Sequence, residues 1–230
     1  MNGLSIKAVL VITGMIAATM VGVVFWFPFP VPTNSIITVA TAPAELTPLS
    51  YAGIVVLRSH DSAGSGFVFA EDESFYYVAT AEHVVSSLWE IEVDEVRAEV
   101  MLADIENDVA IVRVKKHKIV YPVYPLGGEV HLEDHVYAVG YTWGNGWDAD
   151  PTFMVYHGRI TCLNWDQCLS SNSGLFPGMS GGPLFNKDRE VIGITSRVAG
   201  AWGCPITTLS IFVPIEHLTA LWDRYQAQEN

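Results

Sequence analysis

From Gly53 onward the chain is a succession of short apolar runs, each ended by Gly, Pro, Asn or Asp. Ile54–Leu57, Gly66–Phe69, Tyr76–Ala79, Val109–Val112 and Val136–Val139 read as strands, as do Phe153–Leu163, Val191–Ser196 and Thr207–Val213. Many brief strands with turn signals between them imply an all-β sandwich or barrel. Two helices interrupt the pattern. One is a turn after His83; the other follows Pro214, where Ile215, Leu218, Leu221, Trp222 and Tyr225 fall on one helical face.

The first fifty residues follow other rules. Ala8 to Phe27 carries no charge, and roughly 20 apolar residues rising 1.5 Å each match a bilayer core. Phe25, Trp26, Phe27 and Phe29 suit the aromatic belt at its edge. An uncleaved anchor over residues 8–28 is the expectation. A signal peptide cut after Val39-Ala40-Thr41-Ala42 is the alternative, although the apolar core of such a peptide is normally shorter. Lys7 before the span, with no further Lys or Arg until Arg58, orients the globular part away from the cytoplasm. Residues 1–7 form a tail and 29–50 a Pro-, Thr- and Ser-rich linker. The net charge of −13 argues against nucleic acid, whose phosphates demand Lys and Arg.

Cys162 and Cys168 flank Leu-Asn-Trp-Asp-Gln, read as a hairpin tip, so a disulfide between neighbouring strands is expected there, with Cys204 left over. Three unpaired thiols are the other possibility. The spacing fits no four-ligand zinc site, and no metal is expected. His131-Leu-Glu-Asp-His135 and Asp148-Ala-Asp150 are read as ordinary loops.

Three segments carry chemistry. Gly178-Met179-Ser180-Gly181-Gly182 sets a small nucleophile between glycines, where the backbone can turn sharply. Thr80-Ala81-Glu82-His83 supplies an imidazole, and Asp104-Ile105-Glu106-Asn107-Asp108 a set of carboxylates. A serine hydroxyl is a weak nucleophile without an adjacent base, imidazole titrates near neutrality, and a carboxylate fixes its tautomer. Asp108 stands directly before the strand Val-Ala-Ile-Val and is preferred to Asp104 and Glu106, which are expected to face solvent, as is Glu82.

The chain order His83, Asp108, Ser180 with these flanks resembles the trypsin-like serine proteases, most closely the HtrA/Deg branch. Ala138-Val139-Gly140-Tyr141 and His157-Gly158-Arg159-Ile160-Thr161 add to the likeness, which covers about residues 51–226. The resemblance implies two antiparallel six-stranded β-barrels, about 51–125 and 126–213, and a C-terminal helix over 215–226, within a protease domain spanning 51–228. It implies an oxyanion hole from the backbone N–H groups of Gly178 and Ser180, no cofactor, and a polypeptide substrate. The substrate pocket maps to Gly174, Ser196, Val198 and Ser210; none is a carboxylate, so cleavage after small or medium aliphatic residues is expected. The expected departures are the lack of a PDZ domain and Met179, where zymogen-activated members carry Asp. The expected activity is therefore that of a membrane-anchored serine endopeptidase. An inactive protease-like domain that binds peptides, or an esterase using the same three residues, are the alternatives. No residue dictates an oligomer.

Overall fold

A computed structural model of the protein describes residues 51–59, 62–86, 90–143, 150–165, 168–171, 174–200 and 208–229. Strands β1 (Ile54–Arg58), β2 (Ala63–Glu71), β3 (Phe75–Thr80), β4 (Ile91–Val93), β5 (Val96–Asp104) and β6 (Val109–Lys115) close into a barrel in the order β1-β2-β3-β6-β5-β4. Helix α1 (Glu82–Val85) lies between β3 and β4. Strands β7 (His135–Thr142), β8 (Thr152–Trp165), β9 (Cys168–Ser171), β10 (Pro183–Phe185), β11 (Val191–Gly200) and β12 (Thr208–Pro214) close into a second barrel in the order β10-β11-β12-β9-β8-β7. Helix α2 (Ile215–Glu229) follows and runs three residues past the expected end. The expected span over 8–28 and its linker lie outside the described residues. Among the described residues no helix is long and apolar enough to cross a membrane.

Side-chain alternation explains why the first-barrel strands read as unbroken apolar runs. Val55, Leu57, Val68, Tyr76, Val78, Ala110, Val112 and Val114 fill the interior of that barrel. Their neighbours Ile54, Phe67, Phe69, Tyr77, Ala79, Val109 and Ile111 point the other way, into a cluster shared with Val139, Phe185, Val191, Ile194 and Val213 of the second barrel. Both faces of β2, β3 and β6 are thus buried, and a strand buried on both faces has no polar stripe. The second barrel has its own interior of Val136, Ala138, Ile160, Met179, Leu184, Ile192 and Phe212. Helix α2 joins the shared cluster through Ile215, Leu218, Leu221 and Tyr225, the face its spacing indicated. Trp222 stands edge-on to Phe69 and Tyr77 at 5.2 and 4.8 Å, so a helix that continues from the second barrel docks on the first.

Three expectations need correction. Cys162 is a free thiol: the register sets it opposite Ser170, while Cys168 sits opposite Trp165, so the two cysteines are not paired across the hairpin. Cys204 lies outside the described residues. Asp104 does not simply face water; it accepts from Asn107 (N–H 3.2 Å, Nδ2 3.1 Å) and pairs with Arg224 of α2 at 3.2 Å, because the turn carrying it abuts that helix. Glu82 is half-buried, since α1 lies against the barrel rather than projecting from it. Among the described residues no His, Cys, Asp and Glu group could hold a metal ion.

Candidate active site

His83 is carried by α1, whose Val84 and Val85 anchor it in the first barrel. Asp108 opens β6 from a left-handed backbone (φ 52°) that Asp tolerates better than most residues. It faces His83: the imidazole Nδ1 lies 2.8 Å from Asp108 Oδ1 and 3.0 Å from Oδ2, and the His83 backbone N–H donates to Oδ1 at 3.1 Å. The Ser196 hydroxyl donates to Oδ2 at 2.5 Å. Four contacts therefore fix one carboxylate. Burial pushes the Asp108 carboxyl upward, yet the hydrogen bonds from the His83 ring, Ser196 and the His83 amide outweigh it and hold its pKa below the ordinary value. The hydrogen bond to Asp108 raises the His83 pKa above its ordinary value; burial and the nearby Arg197 oppose the rise, and the charges of Asp108 and Glu82 add to it. With Nδ1 committed to the carboxylate, Nε2 is the nitrogen left to exchange a proton.

Ser180 comes from the second barrel. Its backbone C=O accepts from the Ser65 N–H of β2 at 2.8 Å, a bond that ties the two barrels at the site. Its hydroxyl donates to the Ser196 carbonyl at 3.2 Å, and no hydrogen bond joins it to His83 among the described residues. Ser196 thus links two of the three expected residues, with its side chain on Asp108 and its carbonyl on Ser180. Reading Ser196 only as a pocket wall missed this. The bulge between Thr195 and Arg197, where the β11–β12 register shifts, frees Ser196 from the ladder for both contacts.

The turn before Ser180 explains its glycines. Met179 N–H donates to Phe176 C=O at 3.0 Å, with Pro177 and Gly178 at the corners and Gly178 at φ 98°. Proline first and a positive-φ glycine second define a type II turn. A Cβ on Gly178 would run into the Trp143 ring and come within 2.9 Å of the Tyr141 carbonyl. Gly181 (φ 85°) is packed against the Ser65 carbonyl and the Thr80 hydroxyl, with no room for a side chain. Among the described residues the Gly178 and Ser180 N–H groups have no bonded partner, whereas those of Met179, Gly181 and Gly182 do.

The expected pocket residues are partly gathered. Val198 lies opposite Ser210 across β11–β12, and Ser210 opposite Ser171 across β12–β9. Ser210 is buried and Val198 is 43% exposed. Gly174 faces Tyr156, whose ring stacks on Phe176 at 5.3 Å. Ser65, Thr142 and Trp143 escaped the sequence reading, although Gly64-Ser65-Gly66 was a visible signal of close backbone approach.

This chain is similar to a probable periplasmic serine endoprotease, DegP-like, of Halomonas elongata, with 34% identity over 169 residues, covering 67% of this chain and 33% of the relative. The counterpart from Pseudomonas fulva is 32% identical over 149 residues (61% and 30%), and that from Brucella suis biovar 1 is 34% identical over 143 (59% and 27%). The chain spans about a third of the length of these relatives. Residues 64–194, from the Gly-Ser-Gly segment through β10 into β11 and so including His83, Asp108 and Ser180, match the family model of the trypsin-like peptidase domain; this chain belongs to that family.

Proposed function

We propose that the protein is a serine endopeptidase that cleaves polypeptides through an acyl-enzyme on Ser180. The observation that carries this reading is the run of contacts from His83 through Asp108 and Ser196 to Ser180, beside two unbonded N–H groups. In the first step Ser180 Oγ attacks the scissile carbonyl carbon and its proton passes to His83 Nε2. The hydroxyl must first rotate away from the Ser196 carbonyl, and the departing contact is a single neutral bond. The carbonyl oxygen gains the negative charge and accepts from Gly178 and Ser180, donors whose removal typically lowers the rate a hundred- to thousandfold. The imidazolium then protonates the leaving amine. Water repeats the sequence on the ester, with His83 as base, and Ser180 is released. Asp108 holds the productive tautomer and offsets the imidazolium charge.

Gly174, Ser196, Val198 and Ser210 are the proposed acyl-side pocket. They offer no counter-ion, so a bound Lys or Arg would bury an unpaired charge, and cuts after Ala, Val or Leu are favoured. Residues 8–28 are the proposed anchor, with the barrels outside the cytoplasm; the periplasmic naming of the relatives supports that side. A fluorophosphonate probe tests the core of the reading. It should label the wild type and leave Ser180→Ala unlabelled at an unchanged melting temperature. Equal labelling of both proteins would remove Ser180 from its role.

A further inference from the structure

We propose that the hydroxyls of Thr142 and Ser65 act as a clamp that sets the oxyanion turn, making both of them positioning residues. This rests on the acyl-transfer reading above and adds to it the device that aims the Gly178 N–H.

Two successive peptide groups form the turn. The first, Pro177–Gly178, carries the Gly178 N–H. Its carbonyl accepts from Thr142 Oγ1 at 2.9 Å. A trans peptide is planar, with C=O and N–H pointing opposite ways, so holding the oxygen on the β7 side aims the Gly178 N–H away from β7. The second peptide, Gly178–Met179, is held at both ends. Its N–H donates to Phe176, and its carbonyl accepts from Ser65 Oγ at 2.8 Å.

The direction of the Ser65 bonds is fixed by chemistry. The Tyr141 N–H, 2.8 Å from Ser65 Oγ, can only donate, and the Gly178 carbonyl can only accept. The one hydroxyl proton therefore points at Gly178. Ser65 is fully buried, so neither contact has water as a substitute. Its own backbone is fixed as well, the N–H on Ser180 and the carbonyl under Thr80 Oγ1 at 2.8 Å.

The competing state is a flip of the Pro177–Gly178 peptide. It would turn type II into type I, take Gly178 to negative φ, and reverse its N–H. Pro-Gly already favours type II. Thr142 and Ser65 add to that preference from different barrels, Thr142 from β7 and Ser65 from β2. The turn of the second barrel is thus set partly by the first.

The test uses Thr142→Val, Thr142→Ser, Ser65→Ala and the Thr142→Val/Ser65→Ala pair in the full chain. Thr142→Val should lower kcat about three- to tenfold with KM unchanged. It should weaken a peptidyl boronic acid, whose tetrahedral centre places an oxygen at the oxyanion position, by the same factor, and leave a product peptide's affinity unaltered. Thr142→Ser should restore all three. The pair should approach the loss of one oxyanion donor, about a hundredfold. Wild-type kcat in both single variants, or equal weakening of boronic acid and product peptide, would overturn the clamp. NMR reads the turn independently of turnover: a strong Pro177 Hα to Gly178 N–H Overhauser contact marks type II. It should be strong in the wild type and weakened in the pair; an undiminished contact in the pair would likewise overturn the clamp. Absence of both labelling and turnover in the wild type would instead remove the acyl-transfer reading.

Discussion

Asp108→Asn separates two jobs of this carboxylate, charge and orientation, and the geometry assigns each a magnitude. An opposite charge about 4 Å away contributes about 4 kcal/mol at an effective dielectric of 20. The His83 side chain is 47% exposed and that of Asp108 18%, so solvent reduces the contribution to about 2 kcal/mol, or roughly 30-fold in rate. Orientation is the second job. In trypsin, Asn at the corresponding place lets the imidazole adopt the wrong tautomer and costs about 10⁴. Here the His83 backbone N–H donates to Oδ1, the oxygen that also lies 2.8 Å from Nδ1. An amide carbonyl in the place of Oδ1 keeps both contacts; the amide NH2 then faces the Ser196 hydroxyl, which can accept, and gives up only the longer 3.0 Å contact between Oδ2 and Nδ1. The productive tautomer should survive, and kcat/KM should fall about 30- to 300-fold at neutral pH. The hydrogen bond and charge that raise the His83 pKa would be weakened, so the acid limb should move to lower pH. Activity on this limb is lost as pH falls, because the imidazolium cannot accept the serine proton. Peptide hydrolysis from pH 5 to 9, with Ser180→Ala as the floor, measures both quantities. A loss below threefold would deny that the charge matters. A loss of 10⁴ would show that the backbone N–H does not hold the amide in place.

Gly181→Ala forces a side chain onto a left-handed backbone and into the Ser65 and Thr80 oxygens; a loss of about 2–5 kcal/mol is expected, read as a melting temperature lower by roughly 4–20 °C. Gly127→Ala is the control, since its φ is also positive but nothing lies within 4 Å, and it should cost only about 1–2 kcal/mol. Asp94→Asn should make stability less sensitive to pH. Burial raises the Asp94 pKa, against the hydrogen bonds from Val56 and Tyr121, so the folded chain holds this proton more tightly than the unfolded one. The wild type therefore loses stability as pH rises from the unfolded value, about 4, through the folded one, and the Asp94→Asn variant should lack that part of the decline in melting curves from pH 3.5 to 7.

The elements visible in the sequence were those whose physics is local and uniform. Strands β2, β3 and β6 are buried on both faces, and with the apolar β1 they announce themselves as apolar runs. β5 turns Arg97 and Glu99 outward and was passed over, although Val96, Ala98 and Val100 keep the alternation. β4 and β10 have three residues each, too few to show a period. The β4–β5 turn was invisible because Asp94 and Glu95 take the positive φ usually left to Gly (47° and 68°), with the Asp94 side chain bonded to Val56 and Tyr121 in compensation. At the site, His83, Asp108 and Ser180 stood out because each sits in a local motif. Ser65, Thr142 and the side-chain contact of Ser196 did not, since they act through partners 113, 35 and 88 residues away. Their chemistry exists only once the barrels have met.

His83 and Asp108 belong to one barrel and Ser180 to the other, and the Ser65 N–H bond to the Ser180 carbonyl crosses the seam between them. On the proposed reading, activity requires the two barrels to be seated on each other and not merely formed. A chain whose barrels are not seated on each other would lack the site even with every residue present. A change that parts the seam would separate Ser180 from His83 and Asp108 without touching a residue of the site.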